Sequence, residues 1–168
     1  HHFCVVTLGS FYLDVIKDRM YTTPARSVAR RSAQTAMYHV AECYVRWLAP
    51  VLSFTAEEIW GHLPGARVES VIFAEWYAQL PAVTGIDVSA WDRILVVREG
   101  VSGELEKLRA AGAIGAALDA EVDIYCDNEL LQTLARFADE LRFIFITSRA
   151  TVLPAASRPG DAVAVIPD

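Results

Sequence analysis

The sequence predicts a mainly α protein, a helical bundle over residues 1–112 followed by a small α+β module over 113–168. Three observations carry that prediction. Apolar residues recur at helical spacing through three long segments before Gly112. Strict apolar/polar alternation appears only after it. Of 168 residues 54% are apolar and 21% charged, which suits a packed core rather than a disordered chain.

The first helix is predicted over Phe3–Met20, with Leu8, Phe11, Tyr12, Val15 and Ile16 on one face and Asp14, Lys17 and Asp18 on the other. Gly9 weakens it by ~1 kcal/mol relative to alanine. Thr22, Thr23 and Pro24 mark its end; Thr23 can cap the next helix and Pro24 suits a first helical position. That next helix, Pro24–Leu48, carries Ala33, Met37, Val40, Tyr44, Trp47 and Leu48 as an apolar stripe. Arg26, Arg30 and Gln34 form a separate i, i+4, i+8 row with Arg31 beside it. Like charges at that spacing repel by a few tenths of a kcal/mol, roughly, unless an anion or a carboxylate lies nearby. Pro50 ends the helix.

A short helix should begin at about Ala56. Thr55 and Glu58 have capping-box spacing, and Phe54 and Ile59 have the spacing of a hydrophobic staple. Pro64–Ile86 reads as irregular, with Val71–Phe73 a short strand or an extended strap. Asp87 or Ser89 can cap a long helix to about Ala111, carrying Trp91, Ile94, Leu95, Arg98, Val101, Leu105 and Leu108, and Gly112 is its stop. Ala120–Cys126 alternates as a half-buried strand. Asp127 and Asn128 open a helix reaching about Ile146, although Arg142–Thr147 alone could equally be a strand. Thr151–Leu153 and Ala162–Ile166 are further strand candidates.

The net charge of −6 speaks against a generic nucleic-acid binder, but it hides an asymmetry. Residues 1–50 carry a net +3 and residues 51–168 a net −9. A polyanion would be met by the first third; two ordinary solvated helix faces are the alternative. No apolar run approaches the ~20 residues of a membrane helix. Cys4, Cys43 and Cys126 are widely spaced, which fits reduced thiols in a cytosol rather than a disulfide framework. No glycine-rich phosphate loop, H-E-x-x-H or C-x-x-C occurs. His39 and His62 read as packed or surface side chains, and Cys43 as a buried, inert thiol. Glu57 and Glu58 fit helix-dipole and capping roles. Among the tryptophans, Trp47 and Trp91 read as core, while Trp60 and Trp76 could also stack on unpaired bases.

The strings F-Y-L-D-V-I-K-D-R-M-Y-T (Phe11–Thr22), A-R-R-S-A-Q-T-A-M-Y-H-V-A-E (Ala29–Glu42) and V-R-W-L-A-P-V-L-S-F-T-A-E-E-I-W (Val45–Trp60) resemble, in that order, the anticodon-binding region of bacterial isoleucyl-tRNA synthetases. E-W-Y (Glu75–Tyr77) and D-E-L-R-F-I-F-I-T-S (Asp139–Ser148) are similar to the same branch. The resemblance implies a cytoplasmic class I synthetase whose parent uses ATP and Mg to attach isoleucine to its tRNA and edits valine elsewhere. HIGH-like and KMSKS-like ATP motifs are absent here, as are the paired cysteines of a C-terminal zinc module. The resemblance therefore implies an excised portion that neither aminoacylates nor edits and holds no cofactor of its own, with at least one bundle helix upstream. It also favours the end of a helix at Arg142–Ile146. The parent is expected to be a monomer, and any dimer of the piece an artefact of truncation.

On this reading the bundle meets the anticodon stem-loop of the isoleucine tRNA, with Lys17, Arg19, Arg26, Arg30 and Arg31 as the phosphate-facing set. Arg31 and Arg46 have a competing reading as partners of Glu42 and nearby acids. Two other readings remain: a structural spacer with little RNA affinity alone, and an unrelated helical interaction module.

Overall fold

A computed structural model of the chain describes residues 2–82, 84 and 87–164. The chain divides into two compact units, Lys17–Thr84 and the paired segments His1–Ile16 and Gly85–Asp168. The 112/113 boundary drawn from the sequence falls inside the second unit.

Mainly helical architecture is present as predicted, with corrections at the helix ends. Phe3–Leu13 winds as a wide π-helix and continues into α1 (Asp14–Thr22). The i→i+5 winding brings Ser10 Oγ to Val5 O at 3.0 Å, and a Cβ at Gly9 would lie 3.2 Å from Cys4 O. The longer period scatters the expected apolar stripe. Ile16 is buried, Leu8, Phe11, Tyr12 and Val15 are only half-buried, and Phe3, Val5, Val6 and Leu13 are exposed.

The next helix, α2 (Val28–Leu48), starts later than Pro24. Its cap is Ser27, whose Oγ accepts from Arg30 N at 3.2 Å. Thr23 instead donates its Oγ1 to Arg19 O at 2.6 Å, and Pro24 opens a turn closed by Ser27 N–H on Pro24 O. Arg26 therefore lies in that turn, off the helix, and the Arg26–Arg30–Gln34 row does not exist as a helical row. α2 does end before Pro50.

The Thr55 capping box is not formed. α3 (Ser53–His62) begins three residues, just under one turn, earlier than a Thr55 cap would allow, with Leu52 at its N-cap and Ala56 N–H on Leu52 O. Phe54 is 94% exposed and staples nothing. Burial sets this start, because Ala56 and Trp60, one turn apart, enter the core with Val45, Ala49 and Val71. Trp47 is half-exposed rather than core. After α3 the chain runs as an extended strap with one 3-10 turn, Val71–Phe73.

In the second unit α4 (Val88–Ala110) is capped by Asp87 and stopped at Gly112, whose φ of +73° suits glycine. Strand β1 (Glu121–Cys126) leads through the Asp127 cap into α5 (Asn128–Ala135). The single helix expected to Ile146 is broken. A 3-10 turn precedes α6 (Leu141–Phe145), and Ala138 and Ile146 have positive φ. These two residues leave the helical basin, which apolar spacing cannot register. The end of a helix at Arg142–Phe145 is present. β2 (Arg149–Pro154) pairs parallel to β1, Glu121 opposite Arg149. Residues 162–164 are irregular, and the rest of the Ala162–Ile166 candidate lies outside the described residues. Ile94, Val97, Val101 and Leu105 of α4 share one core with Cys126, Leu134, Leu141, Ile144 and Phe145. Trp91, half-buried, meets the rings of Phe11 and Phe137 at 6.4 and 5.1 Å.

Candidate nucleic-acid interface

The unit Lys17–Thr84 holds two groups of cationic side chains that share α2, one closed by a carboxylate and one open.

The closed group is built on the second half of α2. Glu42 is buried at 3% exposure. Arg46, one turn on, reaches it with Nη1 at 2.6 Å, and Arg67 from the strap reaches its other oxygen with Nη2 at 3.0 Å. Burial alone would raise the Glu42 carboxyl; hydrogen bonds from Arg46, Arg67 and Tyr38 outweigh it and hold the group below its ordinary range. The same hydrogen bond, with burial, raises the Tyr38 phenol. The two guanidiniums lie over the buried Trp60 ring, at 4.8 and 4.5 Å from its centre. Trp60 donates Nε1–H to Val68 O at 2.9 Å, so it is a structural residue rather than a base-stacking one.

Each further tie holds the strap. Glu57 accepts from Ser70 Oγ and Val71 N, Arg46 Nε donates to Glu75 O, and His39 Nδ1 shares a hydrogen bond of 2.7 Å with Tyr77 Oη. Glu57 is thus a strap anchor, not the dipole partner its position in the sequence suggested. Cys43 is buried, and burial raises its thiol, which keeps it protonated and inert.

The open group surrounds the start of α2. Lys17, Arg26 and Arg31 are exposed, while Arg19 and Arg30 are half-buried. Arg30 Nη1 donates to Thr23 O at 3.3 Å, and its Nε is buried without a partner. Among the described residues no carboxylate pairs with Lys17, Arg26, Arg30 or Arg31; of the two candidates for Glu42, Arg46 takes it and Arg31 does not. The first turn of α2 carries no acid. Arg30 and Arg31 therefore sit where the helix presents its positive end, each at a cost of about 0.3–1 kcal/mol that an anion would reverse. The Arg46–Glu42 pair was legible in the sequence at its i, i+4 spacing, whereas Arg67, 25 residues from Glu42, joins it only in three dimensions.

Other chemistry is sparse. No group of three or more His, Cys, Asp or Glu among the described residues could hold a metal, and no helix among them is long and apolar enough to cross a membrane.

Residues 1–124 match the family described as the anticodon-binding domain of tRNA ligase. The chain is 59% identical over 166 residues to the isoleucine–tRNA ligase of Methylococcus capsulatus, covering 97% of this chain and 18% of that protein. It is 60% identical over 164 residues to the one from Halorhodospira halophila, covering 96% and 17%. It is 60% identical over 166 residues to the one from Thioalkalivibrio sulfidiphilus, covering 97% and 18%. The chain thus spans less than a fifth of the length of these relatives.

Proposed function

The chain belongs to the anticodon-binding domain family of the tRNA ligases, and from that premise we propose that it is the part of an isoleucine–tRNA ligase that holds the anticodon stem-loop of the isoleucine tRNA. The parent enzyme would attach isoleucine with ATP and Mg on other segments of its chain, in the cytoplasm. The observation that supports this most is the open cation group. Lys17, Arg26, Arg30 and Arg31 lack carboxylate partners among the described residues, and two of them stand at a helix N-terminus with no acid in its first turn. Arg19, on α1, would extend the set toward the same backbone. Phosphate oxygens satisfy both the guanidinium donors and the helix end, and such contacts set register while unpaired bases carry sequence.

The test is fluorescence anisotropy of a labelled isoleucine anticodon stem-loop with this chain across a salt series. About four neutralised phosphates predict a fall in affinity on the order of a hundredfold between about 50 and 200 mM salt. Absence of binding at low salt would leave the domain as a spacer and overturn the reading.

A further inference from the structure

Resting on that reading, the geometry points to a second element of the RNA interface: a pocket on the C-terminal half of α2, the start of α3 and the strap that takes one unpaired nucleobase. The pocket has a volume of about 400 Å³ and is lined by Arg46, Pro50, Ser53, Ile72, Glu75 and Trp76 among others. That volume falls in the range of small-ligand sites, about 300–1,000 Å³.

Its chemistry selects the ligand. Trp76 presents its ring to solvent at 77% exposure and Ile72 is 69% exposed beside it, so an apolar plane stands open at the rim. A base has a flat π-face, and stacking on tryptophan is the usual way an unpaired base is held. Arg46 is fixed before any ligand arrives. Its Nε is spent on Glu75 O at 2.8 Å and its Nη1 on Glu42, and its guanidinium carbon lies 4.8 and 5.3 Å from the centres of the Trp60 and Tyr77 rings. Nη2 is left to donate to a base edge. The Glu75 side chain is exposed and has no cation partner among the described residues, so its carboxylate can accept from an exocyclic amine. A phosphate is not favoured here, because Arg46, Arg67 and Glu42 together leave a single positive charge and the exposed Glu75 carboxylate at the pocket offsets it. The open cations near Arg30 therefore serve the backbone, and this pocket serves a base.

The experiment uses the chain with the labelled isoleucine anticodon stem-loop, and a set of the same stem-loop carrying an abasic site at each unpaired position in turn. Trp76→Ala should weaken binding of the intact loop about five- to a hundredfold with the salt slope unchanged, since no phosphate contact is lost. Trp76→Phe should recover most of that loss. One abasic loop should bind wild type and Trp76→Ala equally, which identifies the base that occupies the pocket. Steeply salt-dependent binding by wild type with equal affinity for Trp76→Ala would overturn this inference while leaving the proposed function standing, and would assign the exposed face to a protein surface instead. A change in salt slope in Trp76→Ala would also overturn it. If the wild-type chain binds no loop at all, both readings fail together.

Discussion

Arg30 and Arg46 stand on the same helix, 16 residues or about 24 Å apart along its axis. Arg46 has a carboxylate one turn before it, a tryptophan beneath it and a strap carbonyl beside it. Arg30 has one backbone carbonyl at 3.3 Å and a buried Nε with no acceptor. The residue type is the same; what differs is the supply of acceptors. Where Glu42 and the strap provide them, arginine becomes part of the fold. At the α2 N-terminus the described residues provide Arg30 one backbone carbonyl and no carboxylate, and its other donors stay open. A net charge per segment cannot make that distinction, because both arginines count equally toward the +3 of residues 1–50.

The largest expected effect lies on the closed side. Glu42→Gln leaves two largely buried guanidiniums without a counter-charge, and should cost the unit about 3–5 kcal/mol in chemical denaturation. Arg26→Glu with Arg30→Glu should shift the same midpoint by less than about 1 kcal/mol, because no pair is lost. Acid acts in the same direction as Glu42→Gln. The Glu42 carboxyl is depressed in the folded chain, so its contribution is present above the ordinary glutamate pKa of about 4.3 and lost as pH falls through the lower folded value. A pH series of denaturation midpoints should show wild type losing stability in that window and Glu42→Gln losing less. A smaller effect is expected of Trp60→Phe, which removes the Nε1–Val68 bond and weakens the ring under both guanidiniums, for about 1–2 kcal/mol. Smallest is Ser27→Ala. Loss of the α2 cap should cost about 0.5–1 kcal/mol and loosen the turn that carries Arg26, readable as faster amide exchange at Arg30.

Much of the fold was legible because its signals are local. Pro50 as a stop, Gly112 with its positive φ, the Asp127 cap and the alternation into β1 each depend on a few neighbouring residues. The errors share a different origin. Thr23 read as the α2 cap, but Ser27, four residues on, takes that role while the Thr23 hydroxyl bonds back to Arg19 O. At α3 the burial of Ala56 and Trp60 overrode a capping box written in the sequence. The π winding of Phe3–Leu13 changed the period on which its stripe was read. The site was legible in part. The basic first third was visible as charge, whereas the pocket and the Arg67 closure join residues distant in the chain and appear only in three dimensions.

In the proposed function the open cations at the start of α2 meet an RNA backbone. The most direct measurement is the salt dependence of anticodon stem-loop binding by wild type and by the Arg26→Glu/Arg30→Glu protein, with circular dichroism to confirm that both are folded. A folded double variant whose binding is lost, or whose log–log salt slope is flatter by about two, is the predicted result. The same affinity and the same slope in both proteins would contradict it.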